Sequence, residues 1–365
     1  MNKFILVLVI SFAFLACKPD EVEKKEGPNT YTLEAPILFG KPNFLNISNN
    51  NPLTVEGIDL GRHLFYEPML SKDYSKTCAS CHKQALGFSD SQAFSVGIDG
   101  QRTERNSMAI TNTAWQSTFF WDGASNTLEE QALIPIQNPK EMGMDLSELV
   151  KRLKASEFYT SKFKNAFPNQ EISENTIAKA LAQFEQTLVS ANSRYDQYKL
   201  GKIKATDQEI RGEKLFYTHP DPNTGVRGGN CGDCHSGTLT FSNSFSNNGL
   251  DNLITDKGRG LISKKISDDG KFKIPSLRNI ALTGPYMHDG RFASLEQVLD
   301  HYNEHIKQSS TIDPQITEAS NYNIAPFNKT LGLTKQEKAD IVAFLKMLTD
   351  TEFTNNKNFS NPFVK

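Results

Sequence analysis

The sequence predicts a mainly α protein built as two helical domains in tandem. Three repeated features carry that expectation. The pattern C-x-x-C-H occurs twice, as Cys78-Ala79-Ser80-Cys81-His82 and as Cys231-Gly232-Asp233-Cys234-His235. A similar helical stretch precedes each copy, residues 57–66 in the first half and 209–217 in the second. Each half then closes on an amphipathic helical pattern. Ile177, Ala180, Leu181, Phe184 and Leu188 share a face in the first, and Ile341, Phe344, Leu345 and Leu348 in the second. The second of these helices opens with Thr334-Lys335-Gln336-Glu337, a capping-box pattern. Core packing accounts for both apolar faces.

The repeat continues between these markers. Gly87-Phe88-Ser89-Asp90 answers Leu239-Thr240-Phe241-Ser242, and Trp121-Asp122-Gly123 answers His288-Asp289-Gly290. Leu128-Glu129 answers Leu295-Glu296 without a gap. The expected organisation is a signal segment at 1–17, a tether and irregular wrap over the first domain at 18–50, domains at 51–200 and 201–350, and a tail at 351–365. The domain boundary is placed between Leu200 and Thr206, where Gly201 and several lysines interrupt the apolar pattern.

C-x-x-C-H is the attachment signature of a c-type haem. Each cysteine forms a thioether to one vinyl group, and the histidine becomes the proximal iron ligand. Each domain is therefore expected to be cytochrome-c-like, with Cys78, Cys81 and His82 holding one haem and Cys231, Cys234 and His235 the other. The competing use of four thiols, a single zinc, does not require a histidine after each pair. Of the five cysteines, only Cys17 lies outside the motifs, which leaves none for a structural disulfide. The chain has 365 residues, 38% of them hydrophobic, enough for sizeable cores. A net charge of −2 gives no pointer to nucleic acid.

Residues 1–17 read as an export signal, with Lys3 ahead of the apolar run Phe4 to Leu15. Leu15-Ala16-Cys17 is like the end of a lipobox, although Phe14 stands where leucine is usual. That reading places a lipid on Cys17 and anchors an exported, periplasmic protein to a membrane. Ordinary signal cleavage and an uncleaved anchor are the alternatives. Residues 18–30 are charged, carry two prolines and read as a flexible tether.

With both haem motifs in place, further stretches give the chain a family resemblance. They are Phe119-Phe120-Trp121-Asp122-Gly123, Leu128-Glu129-Glu130-Gln131-Ala132, Asn138-Pro139-Lys140-Glu141-Met142 and Pro275-Ser276-Leu277-Arg278-Asn279. Over roughly residues 50–350 the chain resembles the bacterial dihaem cytochrome c peroxidase/MauG family. The resemblance implies that Glu141 is the distal acid–base group, with Gln131 as its hydrogen-bonding companion, and that Trp121 assists electron passage between the haems. On the residues alone, Glu141 also reads as a surface carboxylate, Gln131 as a helix-face amide and Trp121 as core packing. Trp115 reads as structural. The resemblance further implies a calcium ion held by the Asn106 side chain and the carbonyls of Thr283 and Pro285, a hard oxygen set.

Many members of that family place a distal histidine between the first motif and the tryptophan. Here no histidine lies between His82 and Trp121, and Met108 is the only soft side chain nearby. The first haem is thus expected to be five-coordinate and open. For the second haem, extending the repeat from Leu128/Leu295 aligns Pro135 with Tyr302. Tyr302 is the expected sixth ligand, with Met287, His301 and His305 as rivals. The other readings of these rivals are packing for Met287 and a helix surface for the two histidines. His63 and His219 read as structural or exposed.

These readings converge on an exported peroxidase that reduces hydrogen peroxide with electrons from a small redox protein, a cytochrome c or cupredoxin. A homodimer is compatible with them. A MauG-like oxidase acting on a protein or organic substrate is the second reading. A non-catalytic dihaem electron carrier is the third, and it requires a closed first haem.

Overall fold

The computed structural model describes residues 27–40, 45–221, 223–319, 322–325 and 328–364. The signal segment, Cys17 and most of the tether lie outside these residues. The first half runs through α1 (Val55–Phe65), α2 (Cys78–Cys81), α3 (Leu128–Gln137), α4 (Leu146–Lys154), α5 (Glu157–Ala166) and α6 (Glu174–Gln186). After α7 (Arg194–Lys199) the second half follows with α8 (Asp207–Tyr217), α9 (Arg259–Ser263), α10 (Leu295–Glu304), α11 (Pro314–Ala319) and α12 (Lys335–Met347). α13 (Thr351–Asn355) ends the helical series. Two small antiparallel sheets accompany them. One pairs β1 (Phe245–Ser246) with β2 (Phe272–Lys273), the other β3 (Tyr322–Ala325) with β4 (Asn328–Thr330).

The two halves are assembled around the same helix crossing. Thr54 caps α1 by accepting the Gly57 N–H, and Thr206 and Glu209 form a capping box on α8. Gly61 of α1 lies against the Ala180 carbonyl of α6, and Gly212 of α8 against the Asp340 carbonyl of α12. A methyl group at either glycine would collide with that carbonyl, so the absence of Cβ lets the helix backbones touch. One turn further on, Phe65 meets Phe184 at 5.3 Å and Phe216 meets Phe344 at 5.1 Å. Leu60, Leu64, Ile177 and Leu181 complete this part of the first core, and Ile341, Leu345 and Leu348 that of the second. Each such side chain contributes roughly 1.5–3 kcal/mol through burial.

The segments at the expected boundaries pack as follows. Tyr195 of α7 packs edge-on against Phe344 at 5.3 Å, and Asp196 pairs with Arg278, both side chains fully buried. Residues 201–206 link α7 to α8. From the tail at 351–365, Phe353 and Phe359 are buried in the first core. At the other end, the tether stops before Asn29. The Asn29 backbone and side chain both donate to Glu56, and Thr30 bridges Thr54. The wrap then crosses the junction of the halves, with Phe39 against Trp115 and under the Arg278 guanidinium.

Candidate functional site

The two C-x-x-C-H motifs present their histidines in the same way. His82 follows the single turn of α2, and its Nδ1 lies 3.0 Å from the Phe88 carbonyl. His235 follows a 3-10 turn, and its Nδ1 lies 3.1 Å from the Thr240 carbonyl. Phe88 and Thr240, paired by the internal repeat, both adopt left-handed backbone, with φ of 59° and 56°. Each ring therefore donates through Nδ1 and keeps the Nε2 lone pair for a metal. Burial pushes both imidazoles below their usual pKa, His235 to about 4, which favours the neutral ligand form. All four motif cysteines are free of disulfides.

Both motifs open on one cavity of about 650 Å³ that runs from His82 past Trp121 to His235. A smaller recess of about 50 Å³ adjoins it at Cys78 and Cys81. Ile110 and Leu128 wall the first side, and Phe216, Leu277 and Leu345 the second. Paired thiols, a neutral imidazole and apolar walls at each end are the donor sets and shape that two covalently attached haems require.

The residues expected on the distal sides lie on α3, in the turn after it, and on α10. Both helices have ten residues and begin at a hydroxyl cap, Thr127 or Ser294. Pro135 and Tyr302 therefore occupy the same helical position, and both line the cavity. Glu141 and Gln131 line the recess beside Cys78. Burial raises the Glu141 pKa, opposed by a 2.7 Å hydrogen bond from Asn138 Nδ2. The side chain of Asn138 reaches three residues along its own turn to hold Glu141, and Gln131 lines the same recess from α3.

At the second motif the rivals separate. The Tyr302 hydroxyl lies 3.1 Å and the Met287 sulfur 3.4 Å from one donor, Asn248 Nδ2. Burial raises the Tyr302 pKa. His301 is buried, contrary to a surface position, and its Nε2 lies 3.0 Å from the Asn248 carbonyl. His305 is exposed at the end of α10. His63 Nδ1 bonds the Asp59 carbonyl and His219 Nδ1 bonds Asn230, so both are structural.

Trp121 lines the space between the motifs, and its indole N–H donates to the Asn106 carbonyl at 2.8 Å. Trp115 instead packs against Phe39 away from that space. Asn106 commits its Nδ2 to the Gln92 carbonyl at 3.0 Å and keeps its Oδ1 as an acceptor. Asn106, Thr283, Pro285 and Met108 all line the large cavity.

Sequence reading passed over Asn248 and Glu185. Asn248 lies in the Asn- and Ser-rich stretch 242–252, which carries no local signal. Glu185 gave one, a carboxylate inside the apolar face of α6. It is buried beside Cys78 in the recess, and its Oε2 has no partner. Burial, reinforced by the charge of Glu129, raises its pKa to about 8.

Residues 55–204 match the family described as di-haem cytochrome c peroxidase. Methylamine utilization protein MauG of Methylorubrum extorquens is 37% identical over 314 residues, covering 85% of this chain and 83% of that protein. The chain belongs to the di-haem cytochrome c peroxidase family. Cytochrome c551 peroxidase of Nitrosomonas europaea, another relative, is 34% identical over 82% of this chain and 81% of its own. Among solved structures, a MauG-like protein associated with microbial copper homeostasis superimposes with a TM-score of 0.80 at 33% identity, covering 92% of this chain and all of that one. The diheme peroxidase BthA of Burkholderia thailandensis shares the fold, with a TM-score of 0.67 at 21% identity. Family membership implies two haems, and the residues at both motifs fit them.

Proposed function

We propose that this di-haem peroxidase reduces hydrogen peroxide at the first motif, using electrons that enter at the second from a cytochrome c or cupredoxin. The observation that carries the proposal is the asymmetry of the two distal sides. A carboxyl group with a raised pKa, Glu141, lines the cavity at the first, and a half-buried phenol, Tyr302, lines it at the second. When bound, the two haems supply one iron that takes up peroxide and another that relays electrons. Glu141 takes a proton from one peroxide oxygen and returns it to the other, which favours heterolytic cleavage. Its raised pKa brings this exchange nearer the working pH, and Asn138 holds the carboxylate in place. The Gln131 amide orients the substrate, while Pro135 offers no ligating side chain. Trp121 lies on the route between the motifs.

Glu141→Gln is expected to lower peroxide turnover by roughly 10²–10⁴-fold while both haems stay attached. Near-normal turnover would remove Glu141 from the mechanism. The first site is read as open in the ferric state and the second as closed by Tyr302. A ferric EPR spectrum with both centres low-spin would overturn this. The same spectrum recorded after chelation tests a calcium ion on Asn106, Thr283 and Pro285, whose loss should perturb the centres that flank it.

The oxidase reading is favoured by Tyr302 and by the lack of a histidine between His82 and Trp121. Fast peroxide consumption supported by reduced cytochrome c selects the peroxidase, and its absence selects the oxidase. Export to the periplasm with a lipid on Cys17 and a homodimeric state complete the proposal. No helix among the described residues is long and apolar enough to cross a membrane.

A further inference from the structure

The segment beyond Asp350 follows the second half in the chain but packs on the first. Asp350 roots it at the junction. Its Oδ2 accepts the Ser190 hydroxyl at 3.1 Å and the Asn192 N–H at 2.9 Å, and its own N–H donates to Asn279 Oδ1 at 2.8 Å. Beyond this root, the rings of Phe353 and Phe359 lie 5.4 and 6.4 Å from the ring of Phe88. Phe88 is fully buried and supplies the carbonyl that accepts His82 Nδ1. Gln84, in the loop between His82 and Phe88, donates to the Asn356 carbonyl of the same segment at 2.8 Å.

We propose that Phe353 and Phe359 are positioning residues for the His82 imidazole, acting through Phe88. A bulky residue in left-handed backbone is strained and persists only where its surroundings over-determine it. Around Phe88 those surroundings include the rings of Phe65, Phe353 and Phe359, two of them from the C-terminal strap. Thr240 takes the same conformation at the second motif but is held within its own half. Its hydroxyl accepts the Leu277 N–H at 3.0 Å and donates to the Leu239 carbonyl at 2.7 Å. The dependence on the strap is therefore specific to His82. Because the Nδ1 hydrogen bond sets the orientation and basicity of a ligating imidazole, the strap tunes the first centre and not the second. This inference rests on the reading of His82 as the proximal ligand.

The test uses the full-length holoprotein. Phe353→Ala and Phe359→Ala are expected to shift the ferric EPR signal and the reduction potential of the first haem and to leave those of the second unchanged. Phe353→Leu is expected to restore most of the wild-type signal. If neither alanine variant accumulates with both haems, Gln84→Ala, which cuts only the loop-to-strap hydrogen bonds, should give the same selective shift. First-haem signals identical to wild type, or equal shifts at both haems, would overturn the proposal. A His82→Gly variant with an unaltered first-haem spectrum would instead overturn the ligand assignment.

Discussion

The two halves of the molecule use one plan and secure it by different means. Both cross a glycine-bearing helix on a closing helix, and both aim a histidine from a carbonyl in left-handed backbone. The first half holds its carbonyl among aromatic rings. The second holds its own through the hydrogen bonds of the Thr240 hydroxyl, and beside it a buried Arg278–Asp196 pair joins α7 to the loop after β2. The distal sides diverge in the same way. Pro135 leaves the first side without a ligating group, while Tyr302 brings a phenol to the equivalent place. Even the closing helices differ. The glycine contacts align Ala180 with Asp340 and Phe184 with Phe344, so Glu185 corresponds to Leu345. Duplicated geometry thus sets where the centres sit, and the unshared side chains set what each can do.

Disrupting the polar clamp is expected to have the largest effect. Asp196→Ala leaves the Arg278 guanidinium buried without its carboxylate, at a cost of roughly 3–5 kcal/mol. Denaturant unfolding followed at each haem should show the second half losing stability first. Simultaneous loss in both halves would mean that the clamp serves the whole molecule. The shared crossing gives the next effect. Gly61→Ala and Gly212→Ala should each destabilise their own half by roughly 1–3 kcal/mol through overpacking. Markedly unequal losses would show that the two crossings are not equivalent.

The last effect is a slope with pH rather than a loss at fixed pH, and it concerns Glu185. Its folded pKa of about 8 lies above the ordinary carboxylate value of 4.5. Over that interval the folded chain keeps a proton that the unfolded chain has released. Its contribution to stability is therefore fully present below about pH 4.5 and is lost as pH rises toward 8, by at most ~1.4 kcal/mol per pH unit. Glu185→Leu, which copies Leu345, should flatten this part of the stability profile. An unchanged slope in thermal unfolding between pH 5 and 8 would show that Glu185 is not held as the neutral acid.

Much of this arrangement was readable in advance. Helices with caps and a 3.6-residue apolar period appear where Ile177, Phe184, Ile341 and Phe344 placed them. The gapless alignment of Leu128 with Leu295 put Tyr302 at the cavity. Misreadings arose where a residue's partner is distant in the chain. Phe353 and Phe359 looked like a tail because Phe88 lies more than 260 residues earlier. His301 looked like a helix surface because the Asn248 carbonyl that accepts it comes from a loop without a pattern.

By itself the sequence determined the two C-x-x-C-H motifs and the tandem helical plan, because motif spacing and helical periodicity are local properties. Only the tertiary structure decided which partner holds Tyr302, how Arg278 meets Asp196, and how the C-terminal strap returns to the first core. Those outcomes depend on burial and on contacts between distant segments, which no local pattern encodes.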